Sequence, residues 1–234
     1  MDQIIDLVYK LDWSPLWTSL KTGAVAAAVS FFLGIFAARC AMGASGVKKA
    51  VLDGMLTLPM VLPPTAVGFF LLLLFGRYRP LGRFLYEYCG IRVVQSWTGC
   101  ILAAVVIAFP LMYRNARAAF EQVDRNLVYA GRTLGMTETA IFFKVVIPCA
   151  APGLASGTVL AFARAMGEYG ATSMLAGNIP GKTATISQKI AMVIQDGDHL
   201  TAGALAAAAA GIAFVLIVLL NLLASRARKQ VKRW

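Results

Sequence analysis

Residues 129–148 read YAGRTLGMTETAIFFKVVIP, from Tyr129 to Pro148, a polar stretch set between strongly apolar runs. Arg132, Glu138 and Lys144 exclude a membrane span here, because charges at bilayer depth are costly. Gly135 is a helix stop, and Met136-Thr137-Glu138 supplies an N-cap followed by an acid in the first turn. Two short helices meeting at an angle are therefore expected. Leu134, Met136, Ile141, Phe142 and Phe143 make an apolar set too large for a bare loop. It either folds onto the protein's own membrane-facing base or forms a docking knob for a cytoplasmic partner.

The flanks decide what kind of molecule carries this stretch. Of 234 residues, 59% are hydrophobic and only 14% charged, with a mean hydropathy of +0.71. One soluble core cannot bury that much apolar side chain. About 20 apolar residues cross a ~30 Å hydrocarbon core, so the chain reads as an all-α membrane protein of five spans. They run over Trp17–Ala38, Val51–Gly76, Trp97–Tyr113, Pro152–Leu175 and Thr201–Ala224. One transmembrane domain, residues 17–224, thus lies between an outer segment, 1–16, and a basic tail, 225–234. The segment from Thr185 to Gln195 can form a re-entrant helix, but Lys189 and Asp196 argue against a full crossing.

Lysine and arginine placement orients the spans. With the N-terminus outside, thirteen basic residues fall in inner segments and seven in outer ones. The positive-inside rule then selects N-out and C-in, which puts residues 129–148 in the cytoplasm. The net charge of +11 follows this topology, with no basic face interleaved with aromatics for nucleic acid. Cys40, Cys89, Cys100 and Cys149 stand singly and are expected to be unpaired. The acidic start (Asp2, Asp6, Asp12) lacks the features of a cleavable signal, so the first span is expected to remain.

Two features inside the spans are anomalous. Pro59, Pro63 and Pro64 interrupt the second run, so that helix must kink or break. The bend is either a hinge lining a pathway or an ordinary kink packed by neighbours. Arg164 and Glu168 lie in the fourth run, Arg164 about 18 Å from Pro152 along a helix. Their i, i+4 spacing allows an ion pair on one face, in the less favourable order. It either locks the span to its neighbours or lets Arg164 guide an anion.

No catalytic set and no metal site emerge. His199 stands beside Asp196 and Asp198 with no second histidine or cysteine near it. No GxxxxGK[ST] loop is present, so any ATP-driven step needs another subunit.

At residues 129–148 the chain resembles the permeases of type I ABC importers. Their cytoplasmic hallmark is EAA, three residues, Gly, nine residues and I-x-L-P. Tyr129-Ala130-Gly131 stands at EAA, with Tyr129 in place of the glutamate, Gly135 at the glycine, and Val145 to Pro148 at I-x-L-P. The resemblance narrows to the molybdate permease subunits through LPMVLPPTAVGFFLLLLFGR, GRTLG and GTVLAFARAMGEYGATSMLAGNIPGKTATI. Sulfate and thiosulfate permeases share the GEYGA and GNIP regions but are usually longer, with an extra span. The resemblance implies a homodimer in the bacterial plasma membrane, two ATPase subunits that use ATP and magnesium, and a periplasmic or lipid-anchored molybdate-binding protein. Residues from Tyr129 to Phe143, with Arg132, Leu134, Gly135 and Phe142, would couple to the ATPase, and Pro148 would set the loop's geometry. No cofactor is expected on this chain. Thr65, Thr183 and Ser187 are candidates for weak contacts to a tetrahedral oxyanion. Tungstate is equivalent to molybdate at this level. A sulfate or thiosulfate permease, or an ATP-independent anion channel, remains an alternative.

Overall fold

The computed structural model describes residues 12–231, with side chains described through Leu222. Most of the expected outer segment 1–16, and the side chains of the tail 225–234, lie outside the described residues. Ten helices make up the described part: α1 (Ser14–Met42), α2 (Gly46–Val61), α3 (Pro64–Phe75), α4 (Pro80–Cys89), α5 (Trp97–Glu121), α6 (Arg125–Thr133), α7 (Glu138–Met166), α8 (Gly170–Ala176), α9 (Ile186–Gln195) and α10 (His199–Val231). Four of them, α1, α5, α7 and α10, are long and apolar enough to cross a membrane, and α2 with α3 forms a fifth, broken span.

The core is a three-helix contact of α1, α5 and α7. Ala26, Ala38 and Ala41 of α1 meet Ala104, Ala108, Met112 and Ala116 of α5, and Leu154, Ala161 and Ala165 of α7. Small residues dominate because helices in lipid gain stability from close backbone approach rather than from burying oil away from water. α10 packs Ala213, Leu216 and Leu220 against Phe162 and Met166 of α7. Its other face, with Phe214, Val215 and Leu219, is exposed on the single chain.

The prolines break the second span rather than bend it. A residue before proline is pushed to extended backbone. Leu62 precedes Pro63, and Pro63 precedes Pro64, so both adopt ψ near 140° (146° and 134°). Two consecutive extended residues end α2, and α3 sets off at 109° to it. Pro59 lies inside α2.

Three expected boundaries move. The third span runs past Tyr113 to Glu121, because Arg117 and Glu121 pair at i, i+4 and keep the helix going beyond the end of the apolar run. The second arm of the loop is not a short helix. It opens α7, which continues from Glu138 through a wide π-type segment, Phe142–Val146, to Met166. That segment sits just before Pro148, whose missing N–H interrupts the regular ladder. The fourth span therefore starts earlier and ends earlier than Pro152–Leu175, and residues 167–169 separate it from α8.

The bundle has two distinct ends. At one, Trp97 donates from Nε1 to Thr22 Oγ1 at 3.0 Å, and Lys21 lies 5.9 and 5.6 Å from the rings of Trp17 and Trp97. Amphipathic rings of this kind belong at a membrane–water boundary. α9 caps the same end: Ile186 N–H donates to Ser19 Oγ at 2.8 Å, and the Thr185–Gln188 capping box starts the helix. At ten residues, or about 15 Å, α9 is too short to cross. The opposite end carries α6 and the start of α7.

Candidate functional site

The turn between α6 and α7 is built by hydrogen bonds that its sequence dictates. Asp124 Oδ1 accepts from Asn126 N–H at 2.9 Å and starts α6. Gly135 N–H donates to Arg132 O at 2.9 Å, and Met136 N–H to Gly131 O at 3.0 Å. This pair is a Schellman stop, and it needs the left-handed backbone that Gly135 adopts, φ +75°. Thr137 Oγ1 then accepts from Ala140 N–H at 3.2 Å and caps α7. Arg132 clamps the two arms together, donating from Nε and Nη2 to Glu138 at 2.6 and 3.3 Å. The carboxylate raises the proton affinity of the Arg132 guanidinium further.

The apolar set divides between two surfaces. Ile141 is buried, and Gly131 leaves it room: a Cβ there would stand 3.0 Å from Ile141 Cγ1. Phe142 stacks edge-on to Phe120 at 5.5 Å, with Arg39 5.1 Å above its ring, and Met136 packs on the same core. These side chains fasten the turn to the bundle. Tyr129, Leu134 and Phe143 point away, 53%, 81% and 61% exposed. Ala130 and Pro148 shape the two arms as parts of α6 and α7. Beside them opens a cleft of about 570 Å³, lined by Met42, Lys49, Phe120, Glu121, Arg125, Tyr129 and Arg132 among others.

A charged network next to this turn is invisible in the linear sequence. Asp53 of α2 accepts from Tyr113 and pairs with Arg117, both on α5. Glu121 accepts from Arg117 Nε at 3.0 Å and from Lys49 Nζ at 3.2 Å. Four charges thus join α2 to α5 where the chain enters the turn. The i, i+4 spacings of Lys49 with Asp53 and Arg117 with Glu121 were the available signal, but the cross-helix pairing depends on the fold.

At the other end, Arg164 and Glu168 form their ion pair at 3.0 Å. The expected geometry, both on one face deep inside a span, does not hold. Arg164 is in the last turn of α7, and Glu168 lies beyond the helix stop at Gly167. The helix starts at Glu138 and not at Pro152, so Arg164 is about 39 Å along it. Glu168 Oε1 accepts from Ala171 N–H at 2.8 Å and so starts α8. Gly170 at the head of α8 meets Pro64 and Thr65 at the head of α3, where a Cβ would stand 3.0 Å from Pro64 Cβ and 3.1 Å from Thr65 N. The head of α8 therefore touches the broken span at its break, where Pro63, Pro64 and Thr65 lie, and Glu168 and Arg164 reach the same junction through Ala171.

The other oxyanion candidates have different fates. Thr183 is fully buried; its hydroxyl accepts from Ile179 N–H at 2.9 Å and donates to Gly177 O at 3.3 Å, which leaves no donor for a ligand. That expectation is corrected. Ser187 is half-buried in the first turn of α9, and Thr65 is exposed at the junction. His199 is exposed, and its neighbour Asp198 is occupied in capping α10; hydrogen bonds from Thr201 hold that carboxyl below the usual range. Among the described residues, no group of histidine, cysteine and carboxylate side chains could hold a metal, and the four cysteines are free.

An all-α membrane domain with one broken span and a helix–turn–helix stop at one end is the fold of ABC importer permeases. The inward-facing methionine ABC transporter MetNI superimposes with a TM-score of 0.68 over 93% of this chain and 94% of that one, at 17% identity. A bacterial ABC transporter involved in import of the polysaccharide alginate gives 0.77 over 96% and 83%, at 14% identity. The sequence pattern of the binding-protein-dependent transport system inner membrane component matches residues 30–233. The chain belongs to that family, and within it to the ModB type. It is 40% identical over 223 residues to the molybdenum transport system permease protein ModB of Escherichia coli K12, covering 95% of this chain and 97% of that one. The putative molybdenum permease YvgM of Bacillus subtilis is 35% identical over 88% and 90%. The sulfate permease CysT of Salmonella typhimurium stands further off, at 30% over 95% and 84%.

Proposed function

We propose that the chain is the membrane-spanning subunit of an ATP-driven importer that carries molybdate, and by the same chemistry tungstate, across the bacterial plasma membrane by alternating access. The observation that carries the substrate is the 40% identity to a molybdenum permease along nearly the whole chain, against 30% to a sulfate permease. The chain works as a homodimer with two ATPase subunits, which bind ATP and magnesium. A molybdate-binding protein delivers substrate at the end capped by α9. Tyr129, Leu134 and Phe143 present an apolar knob to the ATPase, and the rigid turn behind them turns ATPase closure into movement of the spans. The exposed apolar knob, backed by a cleft of about 570 Å³, supports docking over an uncoupled channel.

The test is uptake of labelled molybdate into proteoliposomes holding this chain, its ATPase and its binding protein. ATP-dependent molybdate uptake that excess sulfate does not compete away is the expected result. Sulfate uptake in its place would overturn the substrate, and uptake without ATP would overturn the mechanism.

A further inference from the structure

The junction of α8 with the broken span carries a guanidinium that the fold only half employs. Glu168 is 2% exposed, and both its oxygens are taken, one by Ala171 N–H at 2.8 Å and the other by Arg164 Nη1 at 3.0 Å. Arg164 keeps 35% of its side chain exposed, and a guanidinium offers five N–H donors in a planar fork. Leu160, one turn earlier on α7, is also exposed, as is Thr65 across the junction. Arg164 stands in the last turn of α7, about 39 Å from its start and so past a ~30 Å hydrocarbon core, where its free N–H donors face water at the mouth of the span.

We propose that Arg164 is the residue of the pathway that ligates the oxyanion in transit, and that Glu168 is a built-in competitor that keeps this binding weak. The proposal rests on the importer reading above and names the residue that meets its substrate. A tetrahedral dianion fits the fork of an arginine, which gives two parallel N–H donors to two oxygens. An unopposed guanidinium would hold such an anion, whereas a pathway must also let it go. Glu168 resolves this conflict, because its charge offsets part of the attraction. It cannot swing away to leave Arg164 bare, since the same carboxylate starts α8 and α8 rests on α3 at Gly170. The ligand strength is thereby fixed by the backbone.

The experiment uses the full complex with its ATPase in proteoliposomes, with labelled molybdate as the probe. Glu168→Gln keeps an acceptor for Ala171 N–H and removes the competing charge. It should tighten molybdate binding to the complex without binding protein by about tenfold and slow uptake turnover several-fold, as release becomes limiting. Arg164→Gln should cut uptake more than about tenfold while ATP hydrolysis stimulated by the binding protein stays within about twofold. Arg164→Lys keeps the ion pair but loses the fork; its thermal stability should hold while uptake falls about fivefold. Unchanged binding and turnover in Glu168→Gln, or wild-type uptake in either Arg164 variant, would overturn the proposal. If Arg164→Gln does not assemble, Arg164→Lys decides by the same criterion. A wild-type complex that carries sulfate and not molybdate would refute the substrate alone, and the same series read with sulfate would still decide the role of Arg164.

Discussion

Replacing Gly135 tests whether the turn at 129–148 works through its shape. The backbone there has φ +75°, and its N–H donates to Arg132 O at 2.9 Å. An alanine in left-handed backbone costs about 1–2 kcal/mol, which shifts the ratio of formed to unformed turn by roughly 5- to 30-fold. Asparagine visits this region more readily and should cost less. Proline fixes φ near −65° and has no N–H, so it misses the required angle by about 140° and deletes the bond to Arg132 as well. The Schellman stop then cannot form, and Arg132 and Glu138 lose the alignment that closes the two arms. Insertion depends on the apolar runs of the spans, which this substitution leaves unchanged, so membrane insertion should survive. The assay is binding-protein-stimulated ATP hydrolysis in proteoliposomes, at matched amounts of inserted permease. The expected order is Gly135, then Asn, then Ala, with Gly135→Pro at the unstimulated rate. Full stimulation in Gly135→Pro would refute the argument, because no turn of this geometry could then be needed.

Asp53→Asn and Arg117→Gln should each lower stability by about 1.5–3 kcal/mol, the usual worth of a hydrogen bond to a charged group. For a chain of this length that is roughly 3–12 °C in Tm, read by thermal scanning in detergent. The double variant should fall short of the sum, whereas strict additivity would mean that the pair does not hold α2 to α5. The exposed cysteines report orientation. A membrane-impermeant maleimide applied from the periplasmic side should label Cys89, leave Cys40 and Cys149 until the cytoplasmic face is opened, and spare buried Cys100. Labelling of Cys40 and Cys149 from outside, with Cys89 protected, would reverse the topology.

The class of fold was legible because it rests on local rules. Apolar runs, prolines and cap residues act within a few positions of themselves, so the break at Pro63 and the caps at Gly135 and Thr137 followed from their own neighbours. A charge does not by itself mark where a helix ends. Arg114 and Arg117 end the apolar run of the third span, yet helix geometry continues through charges that pair along one face or reach water. Glu138 and Lys144 likewise hid the continuity of α7. The Asp53–Arg117 pair lies between residues 64 positions apart, and the burial of Thr183 depends on Ile179 and Gly177 folding back around it. Contacts of that kind are set by how helices meet, which no local pattern encodes.

The continuity of α7 changes how the two ends can communicate. Had the second arm been a separate short helix, movement at Tyr129 or Phe143 would have been absorbed at a joint before reaching the spans. Instead one helix runs from its Thr137 cap to Met166, with Phe143 in its second turn and Arg164 in its last. A rigid tilt of roughly 10° at the turn would carry Arg164, about 39 Å away, through about 7 Å. That displacement exceeds what the tight contact of Gly170 with Pro64 and Thr65 can absorb by small shifts, so α3 and α8 must move with α7 or part from it. Either outcome changes access at the junction where Arg164 is exposed. The Asp53–Arg117 network ties α2 to α5, and α7 packs on α5 and α1 through the common core, so a tilt of α7 carries these helices with it. The wide segment at Phe142–Val146 is then the place where stiffness matters most. Adding one residue to the regular helix just after it, following Cys149, would turn Ile141 and Phe142 by about 100° relative to their core contacts on α1 and α5. The turn would be uncoupled from the bundle while both ends kept their residues.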